Sequence, residues 1–392
     1  MCSLCRDAAP PALWLPGAAL LLGMGSAMSA HAQDGPRLEV EPAVLVSDNP
    51  FLLDGGDRAA AAAEVTLRPS MRWSLPPGGE AVVSGVVFAR QYSRAYGNFL
   101  AGRLDGEARN RENEYLSWSA ALSASRDQAI DILTTTIDAV VDPRSFRTSL
   151  GSRVSVVWNP NARTSITPTI GAVRSTFTGN APLADTRSID VGVALARRMD
   201  ERTSLGGRAA AIFSQSGSLG SLSVQTLTAT IDHRLESEWR LTADVGLERS
   251  GVGTIVVGGV ATSPDNRVRL NGEVQFCRDR TRDTFCLSGA LRSEVSGLGG
   301  LQRQLLLRGT ARTQASARDT IQGSVEYRKS TMWDAVAGDV DAVRAQVALD
   351  RRLRRSLFLR PSLEYLARQL LTGRRIGAGY AQLSLLYRWE PE

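Results

Sequence analysis

Cys277 and Cys286 are the residues of this 392-residue chain whose type and spacing most directly offer chemistry. Two thiols nine positions apart can oxidise to a disulfide, ligate a metal or stay reduced. A structural metal site wants four ligands, and no histidine stands near these two. His233 is the one histidine beyond residue 32, and it follows Asp232. An acyl-transfer site would need a serine against that imidazole, and no G-x-S-x-G elbow occurs. The chain is therefore not expected to be an enzyme, and neither a metal nor another cofactor is expected.

Guanidinium is the third chemistry. Arg147, Arg153, Arg208, Arg240, Arg267, Arg269, Arg292, Arg308, Arg312, Arg328, Arg344 and Arg360 all fall on the polar side of alternating segments. Arginine grips carboxylates and phosphates with paired donors. Acids on the same side, such as Asp190, Asp244, Glu248, Glu273, Glu326 and Asp350, are fewer. Two outcomes stay open: an electropositive surface that selects anions, or Arg–acid ladders that only brace a wall.

The elements that carry these residues read at period two. Trp239, Leu241, Ala243, Val245 and Leu247 alternate with Arg240, Thr242, Asp244, Gly246 and Glu248. Val268, Leu270, Gly272, Val274 and Phe276 alternate with Arg269, Asn271, Glu273, Gln275 and Cys277. That is the pattern of a strand with one apolar face. About eighteen such segments run from residue 38 to residue 389, or sixteen if 81–91 and 221–233, which alternate poorly, are discounted.

Connections between the segments are sorted. P-P-G-G-E (76–80), M-D-E (199–201), D-R-T-R-D (279–283) and R-L-R-R (352–355) are short, while 47–62, 126–144, 249–265 and 330–340 are long. Short turns at one rim and long loops at the other distinguish an outer-membrane barrel from a secreted sandwich. Lipid tolerates no open sheet edge, so the sheet must close on itself. The expected fold is all-β: one transmembrane antiparallel barrel of about eighteen strands, apolar side to lipid and polar side to a water-filled lumen.

Residues 1–32 read as a cleavable signal peptide: Arg6, an apolar run from about Ala12 to Leu22, and Ala30-His31-Ala32 before the cut. Residues 33–392 form the barrel. Export places Cys277 and Cys286 in an oxidising compartment. In a hairpin closed by 280–283 the two face each other, so a disulfide stapling that hairpin is expected over free thiols. The formal charge is +6, with Lys329 the single lysine. Ile130, Leu133, Ile137 and Val140 fall at near-helical spacing inside the 126–143 loop. Either an inward constriction or an outward extension of the flanking strands follows, and the Thr and Val content favours extension.

The segments V-L-V-S-D-N-P-F-L (44–52), S-R-D-Q-A-I-D-I-L-T-T-T-I-D-A-V-V-D-P-R-S-F-R (125–147) and W-N-P-N (158–161) resemble β-barrel porins found beside bacterial exopolysaccharide operons. The closing Y-A-Q-L-S-L-L-Y-R-W (380–389) resembles the C-terminal insertion signal of outer-membrane barrels, though Glu390-Pro391-Glu392 follow it. This resemblance implies a role in polysaccharide export. Expected partners are outer-membrane lipid and lipopolysaccharide, anionic polysaccharide and periplasmic export machinery, with no nucleic acid. A general porin for small anions and a plugged structural barrel are the alternatives.

Overall fold

The structure is a computed structural model that describes residues 31–54, 59–75, 78–94, 96–133, 144–178, 184–216, 220–236, 238–252, 255–257, 260–262, 266–295, 301–332, 339–369 and 373–389. Of the expected signal peptide, residues 1–32, residues 1–30 lie outside the described residues, and His31 and Ala32 fall in the first strand. Strands β1 (His31–Ser47), β2 (Ala60–Leu75), β3 (Gly79–Tyr92), β4 (Asn98–Arg111), β5 (Leu116–Gln128), β6 (Phe146–Asn161) and β7 (Thr164–Thr178) come first. They are followed by β8 (Thr186–Arg198), β9 (Thr203–Ser216), β10 (Gly220–Arg234), β11 (Trp239–Val252), β12 (Ile255–Val257), β13 (Val260–Thr262) and β14 (Asn266–Asp279). The last are β15 (Asp283–Val295), β16 (Leu301–Gln314), β17 (Asp319–Met332), β18 (Val340–Arg352), β19 (Leu357–Gln369) and β20 (Arg375–Trp389).

Eighteen of these strands form one sheet, and β12–β13 is a separate two-stranded pair between β11 and β14. Each barrel strand pairs antiparallel with the next barrel strand in the chain, β11 with β14. β20 returns to β1, with Leu38 opposite Trp389 and Ser47 opposite Tyr380, so the sheet has no free edge strand. Closure satisfies the backbone groups that hydrocarbon would leave unpaired.

Side-chain burial follows the sequence alternation. Val44, Leu67, Leu104, Leu150, Leu195, Leu247 and Leu363 are exposed on one face, while Glu41, Thr66, Ser175, Ser214 and Ser384 are buried on the other. An outward apolar face of this extent is stable only against lipid. β3 and β10, whose alternation is weak, are both full strands. In β3 the reason is visible: Phe88 faces inward with Tyr92, where it meets the Phe99 ring edge-on at 6.1 Å.

The short-turn rim is closed by local side-chain caps. Asn113 Oδ1 accepts the Tyr115 and Leu116 N–H groups at 2.8 and 2.9 Å. Asp200 Oδ1 accepts those of Arg202 and Thr203, both at 2.7 Å. Such Asx turns hold tight hairpins without extra residues. Four connections at the opposite rim, 93–97, 217–219, 296–300 and 370–374, are also short. Loop length therefore sorts the rims less strictly than the sequence suggests.

The 126–143 loop departs from the expected strand extension. β5 ends at Gln128, and residues Ala129–Ile132 form a 3-10 turn. Ile130 and Leu133 are buried against Leu45, Phe51, Leu52, Tyr92, Ala342 and Leu366. Arg90 of β3 and Arg344 of β18 both reach Asp131, so the turn folds into the bore instead of lengthening the wall. Burial of Ile130 and Leu133 favours this turn over further extension of β5. Residues 134–143, with Ile137 and Val140, lie outside the described residues.

One wall ladder is incomplete. β14 pairs β15 only from Gly272 opposite Leu291 to Asp279 opposite Thr284. Beyond it, the Glu248 carboxylate takes the Ser293 N–H at 3.2 Å together with the Ser293 hydroxyl and Arg303. Arg303 also donates to the Leu270 carbonyl. Side chains thus replace the missing ladder bonds. Lower in the same sheet, Gly272 is required sterically, because a Cβ there would stand 2.7 Å from the Asp244 carbonyl oxygen.

Candidate functional site

Inside the barrel, β1–β3 and β18–β20 carry a layered site. At the long-loop end lies an apolar cluster in which Phe51, Leu52, Ile130 and Leu133 pack on Leu45, Ala62, Tyr92, Ala342, Leu366 and Ala378. Phe51 stacks at a tilt on Tyr92 and Tyr96, with centroids 5.5 and 5.0 Å apart. Asn49 folds the 48–53 segment by donating to the Leu53 carbonyl and accepting the Leu53 N–H at 2.9 Å. Arg368 anchors that segment through the Leu52 carbonyl at 3.0 Å.

Beneath the apolar cluster sits a charged layer around a cavity of about 250 Å³. Arg90 bridges Glu64 at 2.6 Å and Asp131 at 3.2 Å. Arg344 pairs with Glu364 at 2.9 Å. Arg360 holds Glu41 at 3.3 Å and also Asp350, while Arg68 holds Glu41 at 2.6 Å. In this layer charge is nearly balanced, so its guanidinium groups hold the wall and the inward turn more than they attract solute.

The twelve arginines singled out in sequence all occupy the inner-face register of their strands, opposite the lipid-facing Val and Leu residues. Arg153 pairs with Asp190 at 3.2 Å, Arg208 with Asp244 at 3.7 Å, and Arg240 with Asp232. Arg292 pairs with Glu294 at 2.7 Å, and Arg328 reaches the same carboxylate at 3.3 Å. Arg308 pairs with Glu326 at 3.2 Å. Arg147 donates to the Ser175 hydroxyl at 3.0 Å. Arg267 and Arg269 stand opposite Ser250 and Glu248 in register. Arg312, opposite Thr284 and Gln322, makes no ion pair among the described residues.

Arg312 lines two cavities at the short-turn mouth. One, about 580 Å³, includes Arg280, Arg282, Thr284 and Gln314. The other, about 160 Å³, includes Arg318, Arg352, Arg360 and Arg388 around Asp350. In the adjoining turn, the Arg280 guanidinium, followed by that of Arg278, holds the Glu238 carboxyl below the usual carboxylate range. The Arg202 backbone N–H lowers Asp200 in the same way.

Cys277 and Cys286 are bonded, directly opposite each other on β14 and β15 with Cα atoms 4.1 Å apart. Asp232 and His233, adjacent in β10, point to opposite faces. Asp232 is held by Arg240, and the His233 Nδ1 lies 3.0 Å from the Thr203 hydroxyl. Sequence reasoning missed Arg90, Asp131 and Phe51. The near-helical spacing of Ile130 and Leu133 around a lone Asp131 was the available signal.

A closed antiparallel barrel with lipid-compatible side chains outside and a charged, hydrogen-bonded interior defines an integral β-barrel of the bacterial outer membrane. No protein-family model matches the chain, and no curated protein matches it. Solved structures similar to it include Pseudomonas aeruginosa OccK2 (OpdF), at 12% identity and a TM-score of 0.48 over 92% of this chain and 98% of that one. Acinetobacter baumannii OccAB4 aligns at 10% identity and a TM-score of 0.47, over 92% and 99% of the two chains. A BenF-like porin from Pseudomonas fluorescens Pf-5 aligns at 9% identity and a TM-score of 0.46, over 91% and 99%. These are likenesses of fold at low identity.

Proposed function

We propose that this barrel is a passive outer-membrane channel for anionic cargo, acting in export of acidic exopolysaccharide after residues 1–32 are removed. One observation carries the reading: guanidinium groups crowd the short-turn mouth, where Arg312 stands without an acidic partner between two Arg-lined cavities. Short turns face the periplasm in barrels of this type. An electropositive periplasmic mouth raises the local concentration of a polyanion on the side from which export begins. The inner-face arginines beyond it offer repeated, weak carboxylate contacts, and their own acids keep cargo from binding too tightly to leave. The apolar cluster at the other rim narrows the path there and gives the polymer no charged site to linger on. Anionic polysaccharide and periplasmic export components are the partners this reading requires.

A general anion-preferring porin is the second reading, favoured by Arg312, whose charge a small anion can meet as readily as a polymer. Single-channel recordings in planar bilayers separate the two. Export predicts anion-selective currents blocked by a soluble polyuronate added at the short-turn side. Anion currents indifferent to polyuronate on either side support the general porin, and no current at all supports a plugged barrel.

A further inference from the structure

Arg174 of β7 and Arg187 of β8 are direct cross-strand neighbours on the outward face, near the long-loop rim. Like charges so placed repel and destabilise a sheet, and lipid beside them offers no water to screen the repulsion. Neither forms an ion pair among the described residues. Asp185, the carboxylate nearest in sequence, accepts the Phe177 N–H at 3.3 Å instead. Two other outward cations at that rim are neutralised, Lys329 by Asp339 at 2.7 Å and Arg375 by Asp341 at 2.8 Å, and Arg126 packs over the Phe146 ring. The contrast marks the β7–β8 pair as awaiting an anion from outside the chain.

Farther down β8 from Arg187, beginning at Val191, the outer wall is hollowed. A groove of about 640 Å³ crosses β8–β11 and β14, lined by Val191, Ala211, Leu227 and Leu247, with Gln225 and Arg249 among its residues. Small side chains at Ala209 and Ala211 form the hollow, and Leu227 and Leu247 are 68% and 51% exposed beside it. Arg249, three residues from the rim end of β11, likewise has no acidic partner among the described residues. An apolar groove lined at one end by Arg249, with Arg187 farther along β8 toward the rim, has the chemistry of acyl chain below and phosphate above. The aromatic residues Trp73, Trp118, Trp158, Trp239 and Trp389 lie at the ends of their strands on the opposite, short-turn rim.

We infer that Arg174, Arg187 and Arg249 form a docking site for lipopolysaccharide, the phosphorylated and multiply acylated glycolipid of the outer leaflet, with its phosphates between the arginines and an acyl chain in the groove. This site lies outside the bore and does not depend on the channel reading.

The test uses the full barrel, purified in mild detergent and checked for folding by its heat-modifiable gel mobility. Bound glycolipid is quantified by native mass spectrometry for the parent protein, for R174Q/R187Q, for R249Q and for K329Q as an outward, already paired control. Rough lipopolysaccharide, its dephosphorylated form, phosphatidylglycerol and inorganic phosphate serve as probes. Retention of rough lipopolysaccharide should fall about tenfold in R174Q/R187Q, fall less in R249Q, and hold in K329Q. Dephosphorylated glycolipid should bind like the double variant. Equal retention by the parent and R174Q/R187Q overturns the site. So does binding of inorganic phosphate or phosphatidylglycerol as tight as that of lipopolysaccharide.

Discussion

Arg90 of β3 and Asp131 of the inward 3-10 turn are joined at 3.2 Å, and Arg344, from β18 on the far side of the β1–β20 closure, donates to the Asp131 carbonyl at 3.1 Å. One acidic residue of a loop is thus held by two strands that are remote in the chain. The turn is fixed across the bore, with Ile130 and Leu133 buried beneath it.

Asp131→Ala should release that turn. Loss of charge-assisted bonds of about 1.5–3 kcal/mol raises the share of open bores. Single-channel conductance is expected to rise while folded yield holds. Unchanged conductance would mean the apolar cluster alone fixes the turn.

Arg308→Glu combined with Arg312→Glu should lower anion selectivity, read as a shift of reversal potential in a salt gradient. Arg312→Glu by itself should carry most of the shift, because Arg308 already has Glu326 at 3.2 Å. Equal contributions from the two would show that the Glu326 pair does not mask Arg308.

Glu248→Ala removes the buried carboxylate that serves Ser293, Asn271 and Arg303 where the β14–β15 ladder stops. Breaking such a buried pair costs about 3 kcal/mol. Urea unfolding in detergent should therefore show a lowered midpoint, and a variant as stable as the parent would show that the ladder tolerates the gap.

Reducing the Cys277–Cys286 bond, or replacing both residues by Ser, should cost no more than about 2–4 kcal/mol. The bridged segment is short, with a sequence separation of 9, and its strands already pair. Unfolding midpoints with and without reductant measure it. Selectivity should stay unchanged.

Cysteine placed at 240 or 241 tests the two faces directly. A membrane-impermeant thiol reagent should modify Arg240→Cys, and Leu241→Cys should react only with a lipid-soluble one. The reverse pattern would invert the barrel.

Much of this molecule is local and was therefore readable along the chain. Period-two alternation sets which side chain faces lipid, because a strand turns each residue by half a revolution, and it places Arg240 inward and Leu241 outward whatever strand lies beside them. The facing of Cys277 and Cys286 follows from one short hairpin. Tertiary structure decided what depends on distance. Ile130 and Leu133 could serve a strand or a plug until Tyr92, Ala342 and Leu366 stood near enough to bury them. Whether an arginine is spent on an internal acid or left for a solute, as Arg308 and Arg312 differ, depends on which strand closes beside it. Likewise Arg174 meets Arg187 only through the pairing of β7 with β8. Alternation is a property of one strand, whereas charge neutralisation and burial belong to neighbours that only closure of the sheet brings together.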